Sequence, residues 1–261
     1  MEIVFLRVEI DGRPPTAEAL WHPALVNYGH FTALQVRNGR TRGLGLHLAR
    51  LDAANRELFG AGLDGDLVRE RVRHALADDA RDASVRVVAY RPEDRGAASL
   101  LVAVLPPAPP PSGWQSLKPV PYERPVAHVK HVGGFGQLYH RKVAEREGFD
   151  DVLLTGPDGT VAEGGVTNIG FFDGSSVLWP DAPSLGGVTM ALLEDRLPAA
   201  GIGSRHGPVR LADLPAYRSV FVANSRGLAP VGRIGDVILP VDDDFARTLS
   251  EVYEAVPWDP I

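Results

Sequence analysis

The chain has 261 residues, 27 basic and 33 acidic, for a formal charge of −6, and 44% of them are hydrophobic. That acidic balance gives no electrostatic reason to bind nucleic acid or an anionic membrane. The absence of cysteine excludes a disulfide framework, a thiolate metal site and a cysteine nucleophile.

From the N-terminus, MEIVFLRVEIDGRPP carries an acid at position 2 and charges through its apolar stretch. It does not read as a secretory leader, and a cytoplasmic location is expected. Ile3–Val8 and Ala33–Arg37 read as strands. A helix follows with an apolar stripe at Leu48, Leu51 and Leu58, then another with Leu67, Val68, Val72, Ala75 and Leu76 behind Asp64 as N-cap. Ser84–Tyr90 and Leu100–Leu105 are strand-like, rich in β-branched residues. The uncharged run over residues 99–113 is broken by five prolines, so it is no membrane span. Its stiff Pro-rich part sets the expected organisation: a small N-terminal α/β domain over 1–105, a linker over 106–113 and a larger domain over 114–261.

In the larger domain Trp114–Pro119 and Val126–Lys130 read as extended, and Gln137–Glu147 as a helix. Val152–Thr155 and Thr160–Ala162 flank the turn Gly156-Pro157-Asp158-Gly159, and Asn168–Phe172 and Val177–Trp179 flank Asp173-Gly174. A helix over Met190–Leu197 follows Gly187-Val188-Thr189. Ser219–Ala223 reads as a strand and Phe245–Val256 as the last helix. Short strands and hairpins with few βαβ units predict an α+β, barrel-like domain rather than a Rossmann fold.

Four places carry candidate chemistry. Gly186-Gly187-Val188-Thr189 opens a helix, where free N–H groups and the helix dipole favour an anion; an ordinary Thr-capped helix start has the same sequence. Val222–Val231 holds a polar turn, Asn224-Ser225, after a strand: a second anion-binding turn or a plain surface turn. Glu163, before two glycines, is a carboxylate able to pair with a protonated ring nitrogen if buried, or a solvated one if not. Lys130 lies in PVAHVKHVGGFG among apolar residues, where partial burial would make its amine a nucleophile; the alternative is a lysine snorkelling from a strand end. Lys130 is one of only three lysines, and arginine cannot replace lysine in forming an imine. His128 and His131 have no third ligand at metal spacing, so no metal is expected, and there is no Walker loop, GxSxG or GxGxxG.

In order and spacing these segments resemble the class-IV aminotransferase family, which includes branched-chain and D-amino-acid aminotransferases and 4-amino-4-deoxychorismate lyase. The resemblance rests on HLARL (His47–Leu51), Lys130, DGTVAEGGVTNIGFF (Asp158–Phe172) with Glu163 placed 33 residues after Lys130, LGGVTM (Leu185–Met190) and NSRGLAPV (Asn224–Val231). It implies a two-domain fold-type IV enzyme using pyridoxal 5'-phosphate, acting on small amino and oxo acids, and usually a homodimer. Lys130 would carry the cofactor as a Schiff base and shuttle the proton, and Glu163 would hold the ring nitrogen protonated. Arg50, Val188, Thr189 and Ser225, with Asn224 beside them, would hold the phosphate. Phe31, Thr32 and Arg226 are the candidate substrate contacts.

The chain departs from the family pattern at Thr32, where many aminotransferases carry Glu, as the lyase branch tends to show. It departs again at Phe135, Met190 and Asn224-Ser225-Arg226. Amino-group transfer is the leading expectation. A lyase resembling 4-amino-4-deoxychorismate lyase is the alternative, and a non-catalytic relative the third.

Overall fold

The computed structural model describes residues 4–92 and 96–261. These fall into two compact units, one formed by residues 1–109, 129–133 and 257–261, the other by 110–128 and 134–256.

In the first unit β1 (Arg7–Ile10), β2 (Gly29–Val36), β4 (Ala83–Tyr90) and β5 (Ser99–Leu105) form an antiparallel sheet in the order β1-β5-β4-β2. β3 (Arg40–Arg42) stands apart from it. Period-two burial along β4 puts Val85, Val87 and Ala89 on one face of the sheet. That face packs against α2 (Leu44–Phe59) and α3 (Gly65–Leu76) in one core with Leu34, Leu51, Val68, Val72 and Val102. α3 starts as its sequence predicts, with Asp64 accepting the Asp66 N–H at 2.9 Å. α2 differs from the expected stripe. It buries Leu44, His47, Leu51, Ala54, Asn55 and Phe59, while Leu48 and Leu58 are only half-buried. The strand expected over Ile3–Val8 forms over Arg7–Ile10 instead; Ile3 lies outside the described residues, and Val4, Phe5 and Leu6 are exposed. α1 (Ala17–Trp21) runs into a π-helical turn over His22–Val26, an element the sequence did not announce because it buries no residue.

Residues 129–133 join the free edge of β2. Phe31 N–H donates to the Lys130 carbonyl at 2.8 Å and Val132 N–H to Gly29 at 3.0 Å, with His30 facing His131. Gly29 cannot carry a side chain there, since a Cβ would stand 2.6 Å from the Ala89 carbonyl oxygen. The extended run expected over Val126–Lys130 is therefore corrected. Residues 125–128 turn, with Val126 in the left-handed region at φ 48°, and only the stretch around Lys130 and His131 pairs as a strand would.

The second unit holds β6 (Gln115–Pro121), α4 (Phe135–Arg146), β7 (Asp151–Thr155), β8 (Val161–Gly164), β9 (Asn168–Phe172) and β10 (Ser176–Pro180). α5 (Val188–Arg196), β11 (Gly203–Gly207), β12 (Ser219–Asn224), β13 (Gly227–Ile234), β14 (Val237–Ile238) and α6 (Asp243–Glu254) follow. Its sheet runs β11-β10-β9-β12-β13-β6-β7-β8, with β14 on β13. Val161 N–H donates to Val209 at 2.8 Å and Leu211 N–H to Gly159 at 3.0 Å, so the far ends of the path meet and the sheet curls into a half-barrel. β7, β9 and most of β12 are buried throughout, as strands covered on both faces must be. Alternate residues feed two cores: Ile169, Phe171, Val220 and Val222 one, Phe172, Phe221 and Ala223 the other, where α5 and α6 contribute Leu193, Phe245 and Leu249.

Several boundaries move from those read in the sequence. α4 begins at Phe135 and α5 at Val188, β6 covers Gln115–Pro121, and β8 runs from Val161 to Gly164. α6 begins at Asp243 because Asp242 caps it, accepting the Phe245 N–H at 3.0 Å. The chain then returns to the first unit, where β15 (Trp258–Pro260) pairs with β3. The fold is α+β, as the pattern of short strands predicted. No helix among the described residues is long and apolar enough to cross a membrane.

Candidate functional site

In the first unit, pairing along β2 fixes the backbone of Lys130, and its Nζ lies 4.9 Å from the centroid of the Phe31 ring. Arg86, on β4, stacks its guanidinium over the same ring at 3.9 Å. One residue on, Thr32 points to α2. Its Oγ1 is 2.7 Å from His47 Nδ1 and accepts from Arg50 Nη2 at 2.5 Å. His47 and Arg50 are three residues apart on α2 and so share a face. Arg50 Nε is buried and has no partner, and no carboxylate pairs with Arg50 among the described residues. Burial pushes the Arg50 guanidinium down to about 10. A half-buried cation with unused donors and no counter-ion is a place for an anion.

His47 is 4% exposed. Burial first, then the positive charges of Arg50 and Lys130, hold it well below the ordinary histidine value of 6.5. Burial also lowers His30, whose Nε2 is 3.3 Å from Asn55 Oδ1. A depressed histidine binds its proton less readily folded than unfolded. Stability is then full above the unfolded value of 6.5 and falls as pH drops towards the folded one. The neutral His47 should cost about 1 kcal/mol of stability between pH 7.5 and 5.5. Urea unfolding at the two pH values should show His47→Gln losing about that much less than wild type; equal losses in both would refute the assignment.

In the second unit Glu163 is 5% exposed. Its Oε1 accepts from Arg124 Nη1 at 2.9 Å and its Oε2 from the Leu185 N–H at 3.2 Å. Both members of the Glu163–Arg124 pair have side chains 6% exposed. Asn168 donates to the Leu185 carbonyl at 2.6 Å, so Leu185 is gripped at both its backbone groups. A Cβ at Gly187 would stand 1.8 Å from Asn168 Oδ1, so any side chain there would displace Asn168 from its bond to Leu185. α5 then begins, and the first-turn N–H groups of Val188 and Thr189 have no intrahelical acceptor. Thr189 Oγ1 donates to the Asn224 carbonyl at 2.8 Å, tying this helix start to the end of β12. Ser225 and Arg226 are the two turn residues between β12 and β13, and Asn224 Oδ1 accepts the Arg226 N–H at 2.8 Å. Ser225 is half-buried and Arg226 exposed.

Of the residues singled out in the sequence, the fold thus gathers Phe31, Thr32, Arg50 and Lys130 in the first unit. In the second it links Glu163, Val188, Thr189, Asn224, Ser225 and Arg226. Sequence reasoning missed Arg124, Asn168 and His47 as partners of these groups. His47 was readable from its spacing to Arg50 and Asn168 from the phrase around Glu163. Arg124, one of 24 arginines, carries no signal. Among the described residues no group of three His, Cys, Asp or Glu is arranged to hold a metal ion.

Residues 29–234 match the sequence profile described as amino-transferase class IV. No curated protein matches the chain. Among solved structures, a hypothetical aminotransferase from Mycobacterium tuberculosis in its PLP-bound form is similar with a TM-score of 0.84 at 23% identity, covering 95% of this chain and 98% of that one. A branched-chain aminotransferase from Thermoproteus uzoniensis with norvaline has a TM-score of 0.83 at 20% identity, covering 96% and 94%. A protein described as a 4-amino-4-deoxychorismate lyase from Legionella pneumophila has 0.80 at 18% identity, covering 90% and 93%.

Proposed function

The chain belongs to the amino-transferase class IV family, whose enzymes use pyridoxal phosphate, and we propose that it moves an amino group between an amino acid or amine and a 2-oxo acid. The observation that carries this reading is Glu163, a carboxylate buried in an ion pair with Arg124 at 2.9 Å and placed 33 residues after Lys130. A buried anion of this kind suits a protonated ring nitrogen. The unpartnered Nε of Arg50 suits a phosphate, as do the open N–H groups at the start of α5.

When bound, pyridoxal phosphate supplies an electron sink for the carbon that carries the amino group. Lys130 would hold the cofactor covalently, and once displaced by the substrate amine its freed Nζ would take a proton from that carbon and deliver it to the cofactor carbon that had carried the lysine. Glu163, held in place by Arg124, would pair with the protonated ring nitrogen. Arg50, Val188, Thr189, Asn224 and Ser225 would take the phosphate. Phe31 and Arg226 would meet the substrate, the guanidinium of Arg226 matching a carboxylate. Thr32, expected beside them from the sequence, has its hydroxyl engaged by His47 and Arg50. We read the enzyme as a cytoplasmic homodimer.

A second reading, lyase chemistry like that of 4-amino-4-deoxychorismate lyase, is favoured by Thr32 standing where many aminotransferases carry Glu. Product analysis separates the two. Amino transfer should need one equivalent of a 2-oxo acid acceptor for each donor consumed. Release of pyruvate from aminodeoxychorismate with no acceptor present, and no transfer from any donor screened, would overturn the first reading in favour of the second.

A further inference from the structure

We propose that Thr32 is a positioning residue for the cofactor phosphate, its buried hydroxyl aiming the Arg50 guanidinium. Thr32 is 1% exposed and lies on β2 opposite the face of α2 that carries His47 and Arg50. A hydroxyl has one proton to give and two lone pairs, whereas a guanidinium has only donors. Arg50 Nη2 therefore donates to Thr32 Oγ1, and a second hydrogen bond of 2.7 Å joins that hydroxyl to His47 Nδ1. Burial and the neighbouring cations keep the His47 imidazole uncharged, so no further positive charge stands beside Arg50 at that hydroxyl. The Arg50 end cannot reverse, because a guanidinium only donates, so Thr32 is its acceptor in either imidazole tautomer.

Thr32 is also the one protein acceptor that Arg50 has among the described residues. Arginine has long rotamer freedom, and an unanchored guanidinium would lose more entropy on meeting an anion. A neutral hydroxyl orients it while leaving its charge uncompensated. A carboxylate at position 32 would orient it too, but would spend part of that charge before any phosphate arrived.

The inference rests on the reading of Arg50 as a phosphate ligand, and the two are separated by comparing pyridoxal phosphate with pyridoxal, which lacks the phosphate. Spectral titration of the stripped enzyme should show Thr32→Val weakening pyridoxal phosphate about tenfold, the scale of one hydrogen bond to a charged group. Pyridoxal binding should change little, and Thr32→Ser, which keeps the acceptor, should stay near wild type. Thr32→Ala, which adds no bulk, should repeat the selective loss if the valine variant fails to fold. Arg50→Met should collapse the preference for the phosphorylated form. If Arg50→Met lowers that preference and neither Thr32→Val nor Thr32→Ala does, or if these weaken both ligands equally, the positioning role is wrong while the phosphate reading stands. If Arg50→Met leaves the preference intact, the phosphate reading fails and the proposal with it.

Discussion

Arg124→Met is expected to lower the stability of the protein by roughly 3–5 kcal/mol, the cost of removing one partner from a buried ion pair. Arg124 Nη1 serves two acceptors, Glu163 Oε1 at 2.9 Å and the Ala127 carbonyl at 3.0 Å. Without it Glu163 keeps only the Leu185 N–H at 3.2 Å, too little for a carboxylate that water barely reaches. The penalty belongs to the stranded charge, so the double variant Arg124→Met/Glu163→Gln should recover a large part of the stability in urea unfolding. A loss below about 1 kcal/mol in the single variant would mean that the pair is effectively solvated, as surface pairs are.

Lys130→Ala is expected to lower amino transfer by about a thousandfold or more, the range associated with losing a positioned acid–base group and nucleophile. It should also remove the visible absorption of the bound cofactor. Borohydride treatment of the wild type should leave a pyridoxyl adduct on Lys130 by peptide mass. The variant should fold normally, because the edge pairing at Lys130 uses its backbone carbonyl and the Phe31 N–H, which alanine keeps. An unchanged melting temperature with lost colour and lost rate separates chemistry from structure. A variant that stays yellow and active would remove Lys130 from the reaction.

The fold and the candidate site were legible in the sequence to different depths. Lys130, Glu163, Gly187-Val188-Thr189 and Asn224-Ser225 are residue types with few alternatives, set in a fixed order. Their succession is a property of the sequence itself, and the family match spans it. The alternation in β4 and the turn residues around β8 and β9 gave the α+β class because local preference and burial agree there. The run Val126–Lys130 misled because β-branched residues favour strands, yet residues 125–128 turn, with Val126 at φ 48° and Arg124 bonded to Ala127. Arg124 itself was unreadable: its role depends on meeting Glu163, 39 residues away, which no local pattern encodes. Thr32 stood out in the sequence, but which side of β2 its hydroxyl takes depends on how α2 packs.

The pairing of β15 with β3 joins Pro260 to Arg40 and Trp258 to Arg42. Ile261 belongs to the same core as Val72 and Val102, and its carbonyl accepts from Arg73 Nε at 2.7 Å. On the ribosome the first unit is therefore begun early and finished late. At about 5–20 residues per second, its closing strand emerges roughly 10–30 s after β5, once the whole second unit has been made. Through that interval β3 and one margin of the first core wait uncovered, and closing the ring afterwards carries the slow kinetics of distant partners. The nascent chain is at its most vulnerable not while its first unit is being written but while its second is.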